Sequence, residues 1–264
     1  ELIACLPSVM RHFESENSKL MVPALRVLAG LVFTDDATTQ AALDAGVLNC
    51  FATVVNSPNA TPQLLKEAFW AISNLAAGTI EQTTAVESMG LIRLASGAMM
   101  YDSTPEHVRK EAVFCVTNYV LTLLDHDKLV GAMPDVLAYM EPMLNVLLRS
   151  ANTPKQDVRF SIGEALDAFI SGGGKADGTA DEGFDRERHF HDVVRFILST
   201  ESLCSFVGSE GANEEDVFAF IRHLGEGLQL PMPNTLAIMG VVALPSANGG
   251  EDTTSGRGKP IDPS

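Results

Sequence analysis

The sequence predicts an all-α solenoid, a stack of three-helix units, and three observations carry that prediction. Apolar residues make up 46% of the 264 but aromatics only 6%, a balance dominated by Ala, Leu, Val, Met and Ile that suits close-packed helices. Three segments align at a constant spacing of 44 residues: PALRVLAGLV from Pro23, EAFWAISNLA from Glu67 and EAVFCVTNYV from Glu111. Within each segment the apolar positions recur at helical spacing and do not alternate as strands would.

Each element follows in order. Upstream of the repeated segments lie DAGVLNCFATVV from Asp44 and SMGLIRLASGAM from Ser88, which place Gly46 and Gly90 again 44 residues apart. A unit therefore reads as a short helix, a Gly-containing turn, a second helix, a polar loop and a longer third helix. That size and make-up fit an armadillo stack, whose units bury their apolar faces only against neighbours. A fourth unit is expected at RFSIGEALDAF, where Phe160 lies 49 residues beyond Glu111, implying a longer preceding loop or a drifted repeat. Residues 1–171 thus read as armadillo repeats, a partial first repeat plus about three more.

Beyond them, 172–186 is Gly-rich and acidic and reads as a loop or linker. Residues 187–230 read as a divergent terminal helical repeat, with HFHDVVRFILST and NEEDVFAFIRHL as amphipathic helices and Asn213 as N-cap of the second. Residues 231–264, poor in apolar side chains from Pro245 onward, are expected to form a disordered tail. The chain begins without Met, in mid-pattern at ELIACLPSVM, and reads as a fragment or trimmed product.

At roughly 100° per residue, Leu65, Ala68, Ile72 and Leu75 form one apolar face, while Glu67, Trp70 and Asn74 fall on the opposite side. One unit later, Ala112, Val116, Tyr119 and Leu123 point inward and Glu111, Phe114 and Asn118 outward. The matching positions are Pro23, Arg26 and Gly30 in the first unit and Phe160, Gly163 and Asp167 in the fourth. A lone Trp on a helix is usually core. Here its place opposite the apolar face, flanked by a carboxylate and a carboxamide and partly copied in the next unit, argues for a binding stripe.

Such a stripe suits an extended peptide carrying Lys or Arg. Asn offers a donor and an acceptor to a peptide main chain, and aromatic faces accept the stems and charged heads of basic side chains. The overall charge agrees: 34 acidic against 18 basic residues give −16, which repels nucleic acid and anionic membranes and favours a cationic partner.

KEAFWAISNLAAG and KEAVFCVTNY resemble the third helices of the importin-α (karyopherin-α) family, armadillo adaptors for nuclear localisation signals. The likeness runs from about Leu2 to Ile170, with a fainter trace at NEEDVFAF, and corresponds to the carboxy-terminal portion, about repeats six to ten. PALRVLAGLVFTDDATTQ resembles the sixth repeat, in which Arg, here Arg26, replaces the usual Trp. Trp70 then belongs to the seventh repeat and Phe114 to the eighth.

The resemblance implies a minor-type signal site with peptide contacts at Arg26, Val32, Asp36, Thr39, Glu67, Trp70, Asn74, Glu111, Phe114 and Asn118. Gly30 stands where the family has Asn, and Phe114 where it has Trp; both departures are expected to weaken the grip. Further implied are cargo peptides bearing basic nuclear localisation signals, importin-β and an export receptor as partners of the full-length protein, and residence in cytoplasm and nucleus. The alternative is a non-transport armadillo scaffold.

No enzyme, cofactor, nucleic-acid or membrane role is expected. DGTADEGFDRER from Asp177 only mimics a calcium loop, with Glu182 where Gly is needed and Arg188 where a bidentate Glu is needed. His189 and His191 diverge on a helix, and the GGG at 172–174 lacks the Lys and Ser/Thr of a phosphate loop. The four cysteines, Cys5, Cys50, Cys115 and Cys204, lack metal-ligand spacing and read as reduced thiols.

Overall fold

The computed structural model describes residues 2–14, 18–101, 103–126, 129–148, 156–172, 185–199, 207 and 212–242. These residues are organised in α-helices: α1 Leu2–Met10, α2 Ser18–Leu31, α3 Asp36–Asp44, α4 Val47–Asn56, α5 Pro62–Ala76, α6 Ile80–Ser88, α7 Leu91–Met100, α8 Glu106–Asp125 and α9 Leu129–Leu148. They continue with α10 Gln156–Ser171, α11 Arg186–Ser199, α12 Glu214–Arg222 and α13 Pro233–Val242. A 3-10 turn (Arg11–Glu14) follows α1 and a π turn (His223–Gly227) follows α12. Among the described residues, none of the helices is long and apolar enough to cross a membrane.

Two units match the expected plan closely, α3–α4–α5 and α6–α7–α8. In each, the turn between the short helices is made by the glycine whose spacing marked it, Gly46 at φ 87° and Gly90 at φ 68°. Only a residue without Cβ adopts that backbone without strain. Helix starts are fixed by side-chain caps: Asp35 accepts from Thr38 N at 2.9 Å for α3, Thr61 accepts from Leu64 N for α5, and Thr79 and Gln82 form a reciprocal capping box for α6. Asn213 caps α12 in the same way, paired with Asp216.

The third helices α2, α5, α8 and α10 pack side by side in sequence. Small residues at the contacts, Ala68, Ala71, Ala112 and Cys115, are buried and let neighbouring axes approach closely. Polar side chains of α8 cross this seam to carbonyls of α5: Cys115 to Phe69 O (3.2 Å), Asn118 to Ser73 O (2.9 Å) and Thr122 to Ala76 O (2.8 Å). These polar groups sit inside a mainly apolar interface because each has a partner there.

The fourth unit departs from the plan. One 20-residue helix, α9, stands where the earlier units have two short ones, since this stretch has no glycine turn matching Gly46 and Gly90. The burial pattern aligns Val158 of α10 with Val108 and Leu64, so the spacing here is 50, one residue more than Phe160 implied. That register moves Gly163 and Asp167 off the open face, where the repeat alignment had put them. A Cβ at Gly163 would collide with the ring of Pro231, and Asp167 accepts hydrogen bonds from Thr235 N (2.7 Å) and Asn234 Nδ2 (3.0 Å).

The terminal segment is also more ordered than its composition suggests. α13 lies inside the stretch expected to be a disordered tail; it packs on α10 and α11, with Asp167 accepting the backbone N–H groups at its first turn. Residues 243–264, and 173–184 of the expected linker, lie outside the described residues, as does Cys204.

Candidate functional site: a row of side chains on the third helices

A third helix in the stack is enclosed on three sides, by its own shorter helices and by the third helices to either flank. The open arc is therefore narrow. On α5 Lys66, Trp70 and Asn74 are partly open, and on α8 Lys110, Phe114 and Asn118 lie partly open at the same places. Spacing of i, i+4 and i+8 puts each trio on one line. Lys66 and Lys110 were not among the residues expected from the stripe, although they too are 44 apart.

Glu67 and Glu111 correct the expected picture. Both were placed on the open stripe, but they are buried, at 6% and 8% exposure, because the flanking third helix covers that side. Glu67 accepts from Arg26 Nε (3.0 Å) and Nη2 (2.9 Å) and from Gln63 Nε2 (2.5 Å). Two residues expected to contact peptide thus neutralise each other across the α2–α5 seam. Burial holds the Glu111 carboxyl above its ordinary range, and Lys66 and Lys110 offset that only in part.

Val32, Asp36, Thr39 and Asn74, expected separately, meet in one cleft of about 240 Å³ where the end of α2 faces α3, α5 and α6. Val32 and Thr39 form its buried floor. Phe33, Thr34 and Asp35 belong to the same cleft and were not anticipated. The Asn74 Nδ2 is buried and has no hydrogen-bond partner among the described residues. Its counterpart one unit on, Asn118, spends the same group on Ser73 O.

Trp70 packs one side against the core and meets Phe33 on another, with ring centroids 6.2 Å apart and planes tilted by 39°. Phe114 is covered differently. The Lys110 ammonium lies 5.5 Å from its ring centroid and is ion-paired with Asp157 of α10, a partner that also holds the Asp157 carboxyl below its ordinary value. Beside Phe114 a second, wider cleft is lined by Asn118, Asp157, Phe160, Ser161 and Glu164. Glu164 occupies the aromatic's place in this unit. A side chain at Gly30 would meet open space, with no atom within 4 Å of its Cβ, so the row has no side chain at this position.

Among the described residues no group of three or more His, Cys, Asp and Glu is disposed to hold a metal ion. His189 is buried and its Nε2 lies 2.9 Å from Phe169 O, a structural tie between α10 and α11.

The fold defines an armadillo-repeat solenoid, and this row gives its third helices an aromatic and carboxamide open face. A designed armadillo repeat protein in complex with the peptide (KR)4 superposes with a TM-score of 0.56 at 18% identity, covering 89% of this chain and 82% of that one. The designed armadillo repeat protein YIII(Dq)4CqI gives a TM-score of 0.57 at 16% identity, over 90% of this chain and 99% of that one. In sequence, the chain is 34% identical over 86 residues to importin subunit alpha-1a of Oryza sativa subsp. japonica, covering 33% of this chain and 16% of the relative. It is 33% identical over 118 residues to importin subunit alpha-2 of the same plant, covering 41% and 21%. The resemblance to importin-α subunits read from KEAFWAISNLAAG is thereby borne out, over about a fifth of the length of the curated relatives. No protein-family model matches the chain.

Proposed function

We propose that this chain is an importin-α-like armadillo adaptor segment that holds basic nuclear localisation signal peptides extended along this row of side chains, as a minor-type site. The observation that carries the reading is the buried, unpartnered Asn74 Nδ2 in the cleft beside Trp70. A buried donor without an acceptor is costly and needs an explanation. A ligand main-chain carbonyl supplies the acceptor, and the ligand's basic side chain then lies across Trp70 toward the Asp35 and Asp36 rim. The importin subunit names of the two sequence relatives support an import role, and residence in both cytoplasm and nucleus belongs to the same proposal.

Arg26, Lys66 and Lys110 on the same face favour a second reading, a scaffold for acidic segments. Titration separates the two. Trp70 is the only Trp, so its emission should shift when a Lys/Arg-rich peptide is added at low salt and stay constant with an acidic one. Asn74→Ala is expected to weaken basic-peptide binding about tenfold, the equivalent of one charge-free hydrogen bond, with an unchanged thermal melt. A response to the acidic peptide alone would replace the adaptor reading with the scaffold.

A further inference from the structure

Phe33 stands in an unusual position for a phenylalanine. It lies two residues past the end of α2, just before the polar run Thr34, Asp35 and Asp36, and is 68% exposed. Most large apolar side chains among the described residues are in the core. Phe33 instead leans on Trp70, 6.2 Å between ring centroids, and lines the cleft that holds Asp36 and Asn74.

The two rings are tilted by 39°, so they form a continuous bent wall and not a slot. Next to that wall the carboxylates differ in availability. Asp35 is committed to its own helix, accepting from Thr38 N (2.9 Å) and Thr38 Oγ1 (2.7 Å). Asp36, at the first turn of α3, has no such bond among the described residues. An extended aromatic surface beside an uncommitted carboxylate matches a flat cation with several N–H groups. Guanidinium is planar, weakly hydrated, stacks on aromatic faces and pairs with carboxylate in a fork, whereas ammonium is a compact and strongly hydrated point charge.

We propose that Phe33 is a ligand-contacting residue and that, with Trp70 and Asp36, it makes this cleft select arginine over lysine. This assignment rests on the basic-peptide reading of the cleft and adds a preference that Trp70 and Asn74 do not impose. It also gives a use to an apolar ring held in water.

Fluorescence polarisation with two labelled peptides of equal length and charge, all basic residues Arg in one and Lys in the other, tests it. The chain should bind the Arg peptide about fivefold more tightly, the size of one exposed cation–π contact. Phe33→Ala and Phe33→Leu should both bring that ratio close to one, with the larger loss falling on the Arg peptide, since Leu keeps apolar bulk but not the ring. Circular dichroism melts of both variants should match the parent, as the side chain is largely in solvent. Equal binding of both peptides by the parent, or a ratio that survives Phe33→Leu, overturns the role of Phe33 and leaves the basic-peptide reading standing. Binding of neither peptide overturns both.

Discussion

Replacing Arg26 by Ala isolates what the seam between α2 and α5 gains from one charge pair. The two ends of that pair differ sharply: the Glu67 side chain is 8% exposed and that of Arg26 59%. Fully exposed pairs contribute up to about 1 kcal/mol, and stripping the partner from a fully buried pair costs about 3–5 kcal/mol. One buried end and one wet end place Arg26→Ala between these, at about 1–2 kcal/mol, because among the described residues Glu67 then keeps only the Gln63 amide as hydrogen-bond partner. In a chain of this size that corresponds to a melting point lower by about 3–6 °C. Adding Glu67→Gln removes the orphaned carboxylate, so the double variant should melt above Arg26→Ala alone, with a coupling of about 1 kcal/mol in a double-mutant cycle followed by urea denaturation. A single variant within about 0.5 kcal/mol of the parent, or a double variant no better than the single, would refute the view that Glu67 depends on Arg26.

Buried carboxyls supply two more tests. Asp167→Ala removes the acceptor for Thr235 N and Asn234 Nδ2, so hydrogen exchange across 233–242 should quicken, with a local loss of about 2–3 kcal/mol; unchanged protection there would show that α13 is anchored by apolar contact alone. Burial raises the Glu111 carboxyl above its ordinary 4.5, so the native state holds that proton more tightly than the unfolded chain. Its contribution is full below 4.5 and is lost as pH rises through the raised value. Glu111→Gln should therefore stabilise the chain near pH 7 and make no difference near pH 4, and an equal gain at both would dismiss burial as the cause.

Much of this molecule is legible in its sequence because a repeat shows the same decision several times. Gly46 and Gly90 announce their turns by recurring 44 residues apart, and Asn213 announces a helix start through the acidic run Glu214, Glu215 and Asp216 just after it. Trp70 and Asn74 are legible as an open pair because their side of the helix is copied one unit on. Glu67 and Glu111 are not, since helical periodicity describes one helix against one core and is blind to a second helix closing its flank. The register of α10 escapes for a related cause: Gly163 and Asp167 are defined by Pro231 and Thr235, more than sixty residues away. Phe33 lies past the helix end, where no period reaches, and its only signal is an aromatic ring in a polar loop. The apolar run over 236–242 could have marked α13, but its polar surroundings masked it.

Lys110 lies over Phe114 with its charge secured by Asp157, and this gives the two aromatic positions different thermodynamic characters. A cation arriving at Trp70 adds a contact, whereas one arriving at Phe114 exchanges with an ammonium already seated there. Exchange leaves the ring as occupied after binding as before. The net gain at Phe114 then depends on how well Lys110 fares once displaced, beside Asp157 and in water, more than on the strength of the ring itself. Occupancy along the row is accordingly expected to begin at Trp70 and to reach Phe114 only for ligands whose neighbouring residues bind firmly enough to evict the chain's own lysine.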